Sequence, residues 1–217
     1  MSVAFDELSC GDLLDRGDAF LAAVAGRTAL APVASFFALA QEELRAAVQA
    51  RRAAGRAAEE AYRACDAADR QLDATIADLS LAALDLTRGD SRDPLFIRLF
   101  PDGPQAYTCV PIEEEVRLVH ELRERLHGHP LQARYDPALR AGCQAVERAS
   151  AKLAAVLEQE ADAWARCRKA EISWRLRGRL ARATLDRQLR DAGEPELLQT
   201  IDRLLPLPES AALPAGS

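Results

Sequence analysis

From Phe36 to Leu86 the chain carries one glycine, Gly55, and no proline, and alanine recurs throughout. Proline breaks a helix interior and alanine is the best helix former, so a stretch this long without a breaker predicts a single continuous helix. Stepping alternately by four and three gives Leu44, Val48, Arg51, Gly55, Ala58, Tyr62, Cys65, Asp69, Leu72, Ile76, Leu79, Ala83 and Leu86. Arg51, Gly55 and Asp69 interrupt an otherwise apolar seam. A 3.5-residue period marks helices that pack side by side. At about 1.5 Å per residue such a helix is roughly 75 Å long. It cannot bury its stripe alone, so the rest of the chain or a second copy must cover it.

A second stretch has the same design. With Asp136 as N-cap and Pro137 at the first helical position, a long helix is predicted from Pro137 to Leu189. Its seam runs Leu139, Cys143, Val146, Ser150, Leu153, Leu157, Glu160, Trp164, Cys167, Glu171, Trp174, Gly178, Ala181 and Leu185. Shorter helices are predicted at Gly11–Ala25, with Leu13, Gly17, Phe20 and Val24 on one face, at Ile112–Leu126, and at Glu196–Leu205. Aromatics are only 5% of the 217 residues. Small seam residues let helices approach closely while burying little area per contact. The expected fold is all-α: an elongated antiparallel bundle, or coiled-coil-like hairpin, of two long helices with shorter packing helices and one irregular aromatic loop. Residues 1–205 are expected to form one domain, with an irregular loop at 87–111 and a flexible proline- and alanine-rich tail at 206–217. The tripeptide Arg88-Gly89-Asp90 is expected to serve as a helix C-terminal turn.

Charge and cysteine usage narrow the setting. The formal net charge is -6, which disfavours a general nucleic-acid binder. The five cysteines, Cys10, Cys65, Cys109, Cys143 and Cys167, form no CxxC pair. They read as reduced thiols of a cytoplasmic protein, with Cys65, Cys143 and Cys167 on seam positions. The N-terminal stretch has no basic region of the kind that opens a secretory signal. Ala19–Ala40 carries Arg27, Thr28, Pro32 and Ser35 and is too poor in strongly apolar residues for a membrane span.

Motifs of chemistry are missing. There is no GxSxG, Walker A, GxGxxG or HExxH, and the single ExxH, Glu124 to His127, lacks the second such pair that di-iron bundles use. His120, His127 and His129 cluster within ten residues but lack a standard ligand spacing. The sequence therefore names no catalytic, cofactor-binding or metal-binding residue, and the expectation is a non-enzymatic structural or protein-interaction bundle. Two features are candidates for contact with a partner. The segment from Pro94 to Pro111 concentrates Phe96, Phe100 and Tyr107 in an aromatic-poor chain, either as a plug over the bundle end or as a partner-docking loop. Between Trp164 and Arg190 nine basic residues face two acidic ones. Arg168, Arg175, Arg179, Arg182 and Arg190 fall in one sector of the helix. Such a stripe pairs with the acidic residues Glu59, Glu60, Asp66, Asp69, Asp73 and Asp78 of the first long helix, within one chain or in a homodimer, or tracks a nucleic-acid backbone, or meets an acidic protein or a membrane surface.

Overall fold

In the computed structural model of this chain, residues 8–205 are described; the expected tail at 206–217 and the N-terminal stretch 1–7 lie outside them. The described residues are all-α. α1 spans Cys10–Val24, and a 3-10 turn at Thr28–Leu30 leads into α2, Ala31–Leu86. α3 (Pro94–Leu99) and α4 (Gln105–Thr108) are short, followed by α5 (Ile112–Leu126), α6 (Gln132–Ala192) and α7 (Pro195–Leu204). Internal contacts divide the chain into a terminal unit, Met1–Ala54 with Glu160–Ser217, and a central unit, Gly55–Gln159.

In the terminal unit, α1 starts with a capping box: Asp12 N–H donates to Ser9 Oγ (3.2 Å) and Ser9 N–H to Asp12 Oδ2 (3.0 Å). Its buried face is Leu13, Gly17, Phe20 and Val24, the four-three face of the sequence. Phe20 packs edge-on against Phe37 (4.9 Å between ring centroids), and Phe37 against Trp174 (5.2 Å). As α2 advances from Phe37 to Val48, its neighbours on α6 recede from Gly178 to Cys167, so the two helices run antiparallel here. α7 closes the unit through buried Ile201 and Leu205 and through Asp202, which accepts from Arg182 Nε at 2.8 Å.

In the central unit, Cys65 Sγ meets Ser150 Oγ (3.5 Å) and Tyr135 Oη donates to the Asp78 carbonyl (3.3 Å), again an antiparallel pairing of α2 with α6. His120 lies 3.8 Å from Glu147 and Arg123 2.8 Å from Asp136, so α5 runs antiparallel to α6. Leu72, Ile76, Leu79, Leu122, Leu126, Leu139 and Val146 are the centre of this unit's core.

Several expectations change. The segment predicted as irregular holds α3 and α4. Asp93 caps α3 by accepting from Leu95 N–H (2.8 Å), and Pro94 sits where a missing N–H does no harm. α6 begins at Gln132 rather than Pro137, and Pro137 lies inside the helix. The reason is packing: Leu131 and Tyr135 are buried in the central core, so the chain is already helical before the proline. Asp136 caps nothing and instead accepts from Arg123 and Arg140. On the two seams, Tyr62, Leu86 and Trp164 are exposed. No helix among the described residues is long and apolar enough to cross a membrane.

Candidate functional site

The three aromatics offered as a docking loop are core side chains in the structure. Phe96, Phe100 and Tyr107 are all buried, with Phe100 edge-on to Tyr107 at 5.7 Å and tilted against Phe96 at 5.5 Å. Tyr107 Oη donates to the Leu99 carbonyl (3.0 Å) and accepts from Arg125 (2.6 Å). Burial pushes its hydroxyl above the ordinary tyrosine range. These rings close the core of the central unit. What α3 presents outward is Leu95 and Ile97.

The five arginines do not form one exposed stripe. Arg175 is nearly buried and donates to Glu171 (2.8 Å) and to the Leu8 carbonyl (3.0 Å). Arg182 is buried and paired with Asp202 and Asp186. Arg168 is exposed but holds Glu171 (2.9 Å), and Arg190, also exposed, holds Asp186 (3.1 Å). Arg179 is partly buried. The acidic partners among the described residues are thus acids of α6 itself and of α7. The expected acids of α2 from Glu59 to Asp78 belong to the central unit, whereas these arginines belong to the terminal one. Burial pushes the Glu171 carboxyl up, yet Arg175 and Arg168 outweigh it and hold the group below its ordinary range.

The histidines diverge. His120 is exposed beside Glu147, His127 is exposed within reach of Gln132 (3.1 Å), and His129 is buried, accepting from Leu131 N–H (3.2 Å). Among the described residues no set of three or more His, Cys, Asp or Glu side chains is arranged to hold a metal ion.

Two features of the terminal unit were not assembled by sequence reasoning. The first is an uncovered face of α2 and α6. Ile172, Leu176 and Leu180 recur every four residues on one ridge of α6 and are 59%, 57% and 51% exposed. α1 and α7 engage a different edge of α6, at Glu171, Arg175 and Arg182. Beside the ridge runs a groove of about 400 Å³ lined by Ala47, Ala170 and Ser173 and edged by Glu43, Arg166, Lys169 and Arg177. Phe36 of α2 is also exposed, with the Arg177 guanidinium 5.7 Å from its ring centre. The four-residue spacing of the ridge was legible, but its exposure depended on where α1 and α7 dock. The second feature is an open cavity of about 540 Å³ at the start of α1, bordered by Arg51, Arg52, Trp164 and Arg168.

The central unit holds a third cluster. Glu115 of α5 is 3% exposed and faces Asp69 and Asp73 of α2. Burial and the two neighbouring carboxylates push Glu115 up to about 8. Asp73 is raised as well, by its own burial and by Asp69.

No protein-family profile, curated protein or solved structure matches the chain.

Proposed function

We propose that this protein is a non-enzymatic interaction bundle whose uncovered α2/α6 face docks an acidic amphipathic helix of a protein partner. The observation that carries this reading is the exposed ridge Ile172–Leu176–Leu180 beside a groove floored by small residues. An amphipathic helix laid in a groove is anchored by apolar side chains at such spacings. Small residues on the floor let the incoming helix approach closely. On this side of the groove the cations Arg166, Lys169, Arg177 and Arg187 outnumber the acids Glu43, Asp162 and Asp191 by one, which favours an acidic partner. A second copy docking through this face would set like charges against each other, which favours a different, acidic chain.

The test is site-specific photocrosslinking in the native host, with the photoreactive residue at position 176 and a control at the exposed Tyr62. A discrete adduct at 176, absent at 62 and lost with the charge reversals Lys169→Glu and Arg187→Glu, supports the reading. An adduct consisting only of a second copy of the chain, or no adduct at 176, overturns it. Leu176→Asp is expected to remove the interaction and to leave the melting temperature within about 1 °C, because the side chain is exposed and surface changes sit within about 0.5 kcal/mol.

A further inference from the structure

A helical bundle buries the residues along its seams, and two seam positions of the terminal unit, Arg51 and Trp164, stay uncovered. Arg51 follows Val48 on the α2 seam, and Trp164 precedes Cys167 on the α6 seam. Val48 and Cys167 are buried; Arg51 and Trp164, one turn further on, are exposed. The cause is the starting point of α1. Its first residue, Cys10, lies against Glu171 (4.0 Å), and the Leu8 carbonyl is held by Arg175. Beyond that point no described element of the terminal unit covers the groove between α2 and α6.

The result is the 540 Å³ cavity. Val48 and Cys167 form its floor, Arg51 and Arg52 one wall, Trp164 and Arg168 the opposite wall, and the first turn of α1 closes its end. Among the described residues neither Arg51 nor Arg52 has an acidic partner. Among the described residues the one acid lining the cavity is Glu171, which is held by Arg175 as well as by Arg168. Among the described residues, three guanidinium groups against one shared carboxylate leave an excess of positive charge. Guanidinium forks suit phosphate oxygens, and an exposed indole offers a flat surface to an aromatic ring.

We propose that this cavity binds a phosphate-bearing ligand of nucleotide class. Arg51, Arg52 and Arg168 grip the phosphates and Trp164 stacks on the base. The site is separate from the docking ridge, and each can fail without the other.

The experiment is isothermal titration calorimetry of the full chain with ATP, GTP, UTP and inorganic pyrophosphate, with tryptophan emission followed in parallel. Trp174 is buried with its Nε1–H on Gln41, so a ligand-dependent change in emission reports Trp164. Expected is saturable one-site binding in which at least one nucleotide exceeds pyrophosphate. Arg51→Ala with Arg52→Ala weakens both ligand types by at least about tenfold. Trp164→Leu weakens the nucleotide by about tenfold and leaves pyrophosphate unchanged. Leu176→Asp, on the docking ridge, leaves all affinities unchanged. Both arginines and Trp164 are exposed, so these variants are expected to melt as the parent does; Arg51→Lys with Arg52→Lys keeps the charge and serves as the control if the alanine pair does not fold. Three outcomes overturn the proposal: no saturable heat with any of the four probes, binding that survives loss of both arginines, or tight binding of a single-stranded oligonucleotide that mononucleotides do not displace.

Discussion

Glu115 shows what one buried carboxyl does to this protein. It faces Asp69 and Asp73 across the α2–α5 contact, and Cys143 of α6, itself pushed up to about 11 chiefly by burial, lies on the same side with Arg123 near it. A glutamate displaced from the ordinary range to about 8 binds a proton in the native state that the unfolded chain has already released. Folding therefore takes up a proton between those values. Stability is fully present below about pH 4.5, falls as pH rises towards 8 and levels off above it, with a slope near 1.4 kcal/mol per pH unit for one proton. Glu115→Gln is expected to flatten this slope and to raise the melting temperature most at pH 8–9; an unchanged slope across denaturant melts at several pH values would refute the assignment. Gly17 is the second decisive residue. Gln41 is fully buried, donating to the Leu14 carbonyl (2.7 Å) and Asp18 (2.8 Å) and accepting from Trp174 (2.6 Å). A Cβ on Gly17 would stand 2.0 Å from Gln41 Oε1. Alanine in a helix ordinarily stabilises by up to ~1 kcal/mol over glycine. Here Gly17→Ala is expected to lose about 2 kcal/mol, because the displaced Gln41 leaves buried polar groups unpaired. Urea melts measure it, and a stabilised variant would contradict the packing.

At the scale of the helix, ends are set by short signals and lengths by burial. α2 stops in a Schellman turn: Gly89 N–H donates to the Leu84 carbonyl (2.8 Å) and Arg88 N–H to the Asp85 carbonyl (3.2 Å). The expected C-terminal role of Arg88-Gly89-Asp90 is therefore what the backbone shows. Arg88 takes φ 53° there, the left-handed region that favours glycine. Arg88→Gly is accordingly expected to stabilise the fold by up to ~1 kcal/mol, read as a rise in melting temperature. α1 starts one residue before the expected Gly11, because Ser9 and Asp12 close a capping box around its first turn. The early start of α6 was not legible, because a helical turn before Pro137 exists only when Leu131 and Tyr135 have a core to enter.

At the scale of the whole chain, the two cores are separate sets of residues. One runs from Leu8 to Val48 and from Cys167 to Leu205, the other from Leu72 to Val146. The second set lies wholly inside the continuous segment 55–159, so that segment expressed alone is expected to be helical and to melt cooperatively; a non-cooperative circular dichroism trace would show that it needs the rest of the chain. The heptad seams, the α1 face and the burial of Cys65, Cys143 and Cys167 follow from local periodicity, because a side chain's place on a helix depends only on its position along it. The same periodicity could not say which sides of a helix its neighbours cover. Phe96, Phe100 and Tyr107 became core because α3 and α4 fold over α5. Arg175 and Arg182 became buried because α1 and α7 dock beside them. Sequence alone determined the helices and most of their seams; only tertiary packing decided that the face at Leu176 and the cavity at Arg51 stay open, since exposure depends on neighbours brought from far along the chain.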